Sequence, residues 1–173
     1  MPQRRRLQEG DFTSGLRHVS HRTALTTPQA EAIRTRGKRM TIETDKAEIW
    51  HGQNEMYRGF ETQDRPRIDR HIHPDCTIWD SEHEALVFGL DGLNAVRATR
   101  PTADDQPQVA SLEAFGQVID VWGDVAVLRH MLVVRFEGDT PDERIRNTGV
   151  WRRTSEGWRV AHNHEDVLAP AAS

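Results

Sequence analysis

The sequence predicts an α+β domain, with helices first and long antiparallel strands after them. Three observations carry this. Ile49, Trp50, Met56, Tyr57 and Phe60 recur at helical spacing. Gly123-Asp124 separates two long apolar-rich runs, a strong hairpin signal. Ser155-Glu156-Gly157 separates two more.

The elements follow in order. Asp45 to Phe60 reads as an amphipathic helix that Gly59 weakens at its end. Asp64 is an N-cap with Pro66 in the first turn, where a missing N–H does no harm. That short helix runs through Ile68 and Ile72 and stops at Pro74. Cys76 to Asp80 is β-branched and aromatic, hence a strand, and Ala85 to Phe88 is a second short one. Asp91 caps a third helix seated by Leu93 and Val96, and Pro101 stops it. Val109 to Trp122 and Val125 to Phe136 form the first hairpin. Arg144 to Thr154 and Trp158 to Val167 form the second.

The domain spans residues 41–168, with a short tail over 169–173. Residues 1–40 are a different kind of chain, rich in Arg, Thr, Ser and Gln and poor in large apolar residues. They cannot bury enough surface to offset their ordering entropy, so they are expected to be a disordered or weakly ordered arm. Met40-Thr41-Ile42-Glu43-Thr44 looks like a natural start, so the first 39 residues are also consistent with an upstream start codon.

The 173 residues suffice for one stable domain. A net charge of −4 argues against nucleic acid as partner. No apolar run approaches the roughly 20 residues of a membrane helix, so no membrane partner is expected. The single cysteine, Cys76, excludes an intrachain disulfide and suits the cytoplasm.

Four stretches resemble the SnoaL-like branch of the nuclear transport factor 2-like superfamily. They are His73-Pro74-Asp75-Cys76-Thr77-Ile78-Trp79-Asp80, Gly89-Leu90-Asp91-Gly92-Leu93, Gly123-Asp124-Val125-Ala126, and Thr148 to Arg153 with Gly157 to Val160. The resemblance covers roughly Ala47 to Leu168. It implies a cone, a strongly curved antiparallel sheet whose mouth three N-terminal helices close, with a small-molecule pocket inside. It leaves the reaction open, since the superfamily holds ketosteroid isomerases, dehydratases, polyketide cyclases, hydrolases and plain binding or association domains.

Asp80 ends a strand where the resemblance to ketosteroid isomerases implies a proton-shuttling base, and a carboxylate in an apolar pocket moves protons near neutrality. The structural alternative is an Asp that caps the turn before Ser81-Glu82. Tyr57 lies close to the isomerases' oxyanion-holding Tyr, but the second donor's place falls near Gly149, so the resemblance does not extend to steroid isomerisation. His162 and His164 lie two apart on a strand and are expected to share a face with Trp158 and Val160, opposite Arg146, Thr148 and Val150. His130 is the one polar residue on the face of Ala126, Leu128, Leu132 and Val134.

Asp80, His130, His162 and His164 are therefore the candidate catalytic residues, and Tyr57, Trp79, Arg146 and Thr148 the candidate substrate contacts. The alternative places the histidines in a subunit interface. His71/His73 and His162/His164 raise a metal site, but a third ligand on one face is not placed, so no metal is expected.

Two functions fit. One is cofactor-free acid–base catalysis (isomerisation, dehydration, cyclisation or hydrolysis) on a small, partly apolar substrate. The other is a non-catalytic ligand-binding or association domain. A homodimer across the sheet is expected in either case, because the long final strands carry apolar residues on both faces.

Overall fold

The computed structural model describes residues 27–100 and 107–169, with the backbone alone for 27–40. Helix α1 runs Thr27–Glu61, α2 Arg65–Asp69, strand β1 Ile72–Trp79, β2 Val87–Phe88 and α3 Gly89–Thr99. The long strands are β3 Val109–Trp122, β4 Val125–Phe136, β5 Glu143–Thr154 and β6 Gly157–Val167. The first hairpin has the expected spans, and the second differs by one residue at each strand's start.

The helices depart further from expectation. α1 begins at Thr27, well before Asp45, and takes in part of the expected arm. Pro28 suits a first helical turn, and Ala30, Glu31, Ala32 and Arg34 are good helix formers, so the helix continues where it has no apolar face to reveal it. The rest of the arm lies outside the described residues. Phe60 is exposed, because Ile68 of α2 closes on the Gly59 side of the helix end.

Asp64 caps α2 as expected, its carboxylate accepting the Arg67 N–H at 3.1 Å. β1 then starts at Ile72 and passes through Pro74. Its pairing with β6 is interrupted between Ile72 and Thr77, so the proline removes no ladder bond. α3 starts at Gly89 with no side-chain cap, and Asp91 lies in its first turn. The stop expected at Pro101 lies outside the described residues. Arg100 before it is already extended, as a residue before proline favours.

The six strands form one curved sheet in the order β2-β1-β6-β5-β4-β3. Every pairing is antiparallel except β1 with β6, which is parallel. Nearly the whole domain connects those two strands, which supplies the long crossover a parallel pair needs. Two bulges shape the sheet. In β3 the register shifts between Phe115 and Val118, around Gly116 at φ 66, and such a bulge bends the strand. In β6 Val160 pairs with Trp151 but His162 pairs with Val150, so Ala161 is an extra residue.

α1 lies on one face of the sheet, here called the inner face. Ile49 is fully buried there with Ile119, Ala126, Leu128, Trp151, Trp158 and Val160. A second cluster, of Ile72, Cys76, Ile78, Val87 and Leu93, sits with Ile68 of α2 and Val96 of α3. Buried Asp45 pins α1 to the second hairpin. It pairs with Arg153 at 2.6 Å and accepts the Trp158 indole N–H at 3.3 Å. Among the described residues no helix is long and apolar enough to cross a membrane.

Candidate functional site

A row of polar side chains crosses the otherwise apolar inner face. His130 on β4 pairs with Asn147 on β5, and Asn147 pairs with Glu165 on β6. Residues paired across strands share a face, so the three stand in line. Asp80, just past the end of β1, continues the line. Its neighbour Trp79 pairs with His164, and its charge acts on Glu165.

The row is tightly bonded at both ends. The Tyr57 hydroxyl on α1 lies 2.6 Å from Nε2 of His130, whose ring also meets Trp50 edge to face. Asn147 and Asn163 both donate their amide N–H to Oε1 of Glu165, at 3.0 and 3.2 Å. Arg100 pairs with Asp80 at 2.5 Å, and the other Asp80 oxygen accepts the Glu82 N–H. Asp80 therefore also performs the turn-capping role that was its structural alternative.

Burial sets the protonation of the row. His130 is 4% exposed, and desolvation pushes its pKa down to about 4, so it is neutral at pH 7. Desolvation first, and then the Glu165 charge, raises the Tyr57 phenol well above its ordinary value. Glu165 is also raised, by desolvation and by Asp80, while its two asparagine donors and Arg100 pull the other way. A carboxyl group raised in this manner moves a proton nearer to neutrality than an ordinary one.

Four buried polar atoms near this row have no protein partner: Gln53 Oε1, His130 Nδ1, Asn147 Oδ1 and Trp151 Nε1. Leaving such groups unmade costs about 1–3 kcal/mol each. The Trp151 indole N–H lies beside Gly149, where a Cβ would stand 3.1 Å from Nε1. A bare glycine there is what lets the indole edge lie along the strand.

The bulge at Ala161 corrects the expected lining. Side chains alternate with a period of two, so one extra residue sends everything after it to the other face. Trp158 and Val160 are inside; beyond Ala161, Asn163 and Glu165 are inside, and His162, His164 and Asp166 are outside. His162 bonds Thr77 at 2.8 Å, and Arg146 forms an exposed ion pair with Asp166. Arg146 and Thr148 share the outer face with them, since their partners are Asp166 and His164. Trp79, opposite His164, is outside as well and 42% exposed.

Of the eight candidates, Tyr57, Asp80 and His130 thus reach the inner face. Asn147, Asn163, Glu165 and Gln53 join them without having been expected. Gln53 was findable, as a polar residue one turn from both Ile49 and Tyr57 on the apolar stripe of α1. Among the described residues no group of three His, Cys, Asp or Glu side chains is arranged to hold a metal ion.

Residues 54–170 match the model of the SnoaL-like domain family. No curated protein matches the chain significantly. Solved structures of similar fold include a nuclear transport factor 2-like protein with a cystatin-like fold from Novosphingobium aromaticivorans. It is 18% identical, with a TM-score of 0.65 over 79% of this chain and 90% of its own. The CaMKII hub of S. rosetta is 20% identical, with a TM-score of 0.61 over 70% of this chain and 95% of the hub. A candidate ketosteroid isomerase from Parabacteroides distasonis is 18% identical, with a TM-score of 0.58 over 72% of this chain and 88% of its own. At these identities the likeness is one of fold.

Proposed function

The chain belongs to the SnoaL-like domain family, and from that premise we propose that the inner face is a pocket for cofactor-free proton transfer on a small, partly apolar carbonyl compound. The observation that carries this is the row Tyr57–His130–Asn147–Glu165, buried at His130 and Asn147 and half-buried at its two ends. It holds unpartnered polar atoms in an apolar setting, where they cost stability unless a ligand uses them.

Glu165 is the proton carrier. As carboxylate it takes a proton from the carbon beside the carbonyl and later returns it. Asn147 and Asn163 fix its Oε1, which leaves its second oxygen to reach the substrate. The Trp151 indole N–H donates to the carbonyl oxygen as that oxygen gains negative charge. It serves where the isomerase resemblance met the bare Gly149. Burial first, and then the charge of Asp80, keep the Glu165 proton affinity high.

The test is solvent deuterium exchange into a panel of small aryl ketones, followed by proton NMR. The protein is expected to speed exchange well above buffer. The rate should rise with pH through a value above 4.5, the ordinary value for Glu, because the base form exists only above its pKa. If no ketone exchanges faster than in buffer, the catalytic reading is wrong.

Self-association is a second, compatible reading, and a separate observation favours it. Trp79, Phe115, Val118, Trp122 and Val125 are exposed large apolar residues of the outer strand positions. We place a homodimer interface there. Similarity of fold to a CaMKII hub is consistent with this. The single, buried Cys76 thiol keeps the cytoplasm as the proposed compartment.

A further inference from the structure

The unpartnered atoms of the inner face differ in kind, and the difference specifies a ligand. Asn147 is 2% exposed, and its amide cannot turn freely, because Glu165 takes its N–H. Its Oδ1 is thus a fixed acceptor with no partner. His130 carries one ring proton. Among the described residues the Tyr57 hydroxyl has one hydrogen-bond partner, Nε2 of His130. With no other acceptor in reach, the phenol proton points at that nitrogen, 2.6 Å away. That assigns the imidazole proton to Nδ1, a buried donor with no partner.

His130 and Asn147 are direct cross-strand partners, and the Cβ atoms of such pairs stand about 5 Å apart. The pair carries one donor and one acceptor, both buried and both unpaired. A group that accepts one hydrogen bond and donates another satisfies both, and among common organic groups that is a hydroxyl. Two residues along β5, about 6–7 Å away, the Trp151 indole N–H lies over Gly149 as a second unpaired donor.

We infer that His130 and Asn147 together grip a hydroxyl group of the ligand, so that the pocket selects hydroxy-carbonyl compounds whose two oxygens lie about 6–7 Å apart. The grip rests on the proton-transfer reading only for the carbonyl end. The hydroxyl end follows from the unpaired atoms alone. Asn147 is in this role a specificity residue, and Glu165 also positions it.

The test is a binding titration of the whole chain by NMR with four aryl ketones: para-hydroxyacetophenone, acetophenone, para-methoxyacetophenone and para-aminoacetophenone. The hydroxy compound places its oxygens at about the required separation. It is expected to bind about tenfold more tightly than acetophenone or the methyl ether, because each of those leaves at least one buried partner unmade. In Asn147→Leu that preference should shrink to about twofold or less. Equal binding of all four ketones would overturn the hydroxyl grip while leaving the pocket standing. Tighter binding of the amino compound, which donates twice, would overturn it through the opposite His130 tautomer. No binding by any of the four would remove the pocket and the grip together. Asn147→Leu need not fold for the test to decide, since the four-ligand comparison in the unmodified chain stands by itself.

Discussion

At Gly149 the absence of a side chain does the structural work. A Cβ there would stand 3.1 Å from Trp151 Nε1, tighter than ordinary packing allows. Gly149→Ala is therefore expected to push the indole off its bed and cost about 1–3 kcal/mol in urea unfolding. His130 couples stability to pH. Its folded pKa is about 4 against an ordinary 6.5. As pH falls, the unfolded chain takes up this proton first, so stability is complete above about pH 6.5 and declines down to about pH 4. Over that window the loss is roughly 3 kcal/mol. Glu165 works in the opposite sense. Its folded pKa is raised, so its stabilisation is present at low pH and lost as pH rises through the folded value. Urea melts of wild type and His130→Phe across this range separate the two. The variant should lose the acid-side decline that His130 causes, and an unchanged slope would show that His130 is not buried neutral.

The elements divide by whether their signals are local. Gly123-Asp124 announced the first hairpin to the residue, because turn chemistry and strand alternation agree there. The Asp64 cap was equally legible. Ala161 was not. It is a bulge without a glycine, set by how β6 packs against β1 and β5, and nothing within a few residues of it differs from regular strand. Reading straight through it put His162 and His164 inside and hid Glu165. The start of α1 was missed for a different reason, since Thr27 to Arg39 is helical by propensity without an apolar stripe. How α1 is held yields its own test. Asp45 is 4% exposed and serves both Arg153 and the Trp158 indole. Asp45→Ala leaves the buried Trp158 N–H unpaired and Arg153 with Asp124 as its remaining carboxylate, and is expected to cost about 2–3 kcal/mol. Hydrogen exchange of the α1 amides should quicken more than that of β4.

Over the whole molecule the sheet has two faces with separate business. The inner face carries the polar row that Tyr57 of α1 joins through His130. The outer face carries the exposed apolar residues together with Arg129–Asp120 and Arg146–Asp166 ion pairs. A charge placed among the outer apolar residues should break self-association without touching the row. Val118→Asp is expected to convert a dimer to a monomer by light scattering at micromolar concentration while ketone exchange persists. A wild-type chain that is already monomeric there would contradict the interface. On the proton-transfer reading the working face is the one with Glu165, not the one with His162 and His164. Ketone proton exchange in Glu165→Gln and in His164→Gln distinguishes the two faces. The expected result is a loss of about a hundredfold or more in Glu165→Gln and a wild-type rate in His164→Gln. The reverse pattern, with His164→Gln inactive and Glu165→Gln unimpaired, would contradict it.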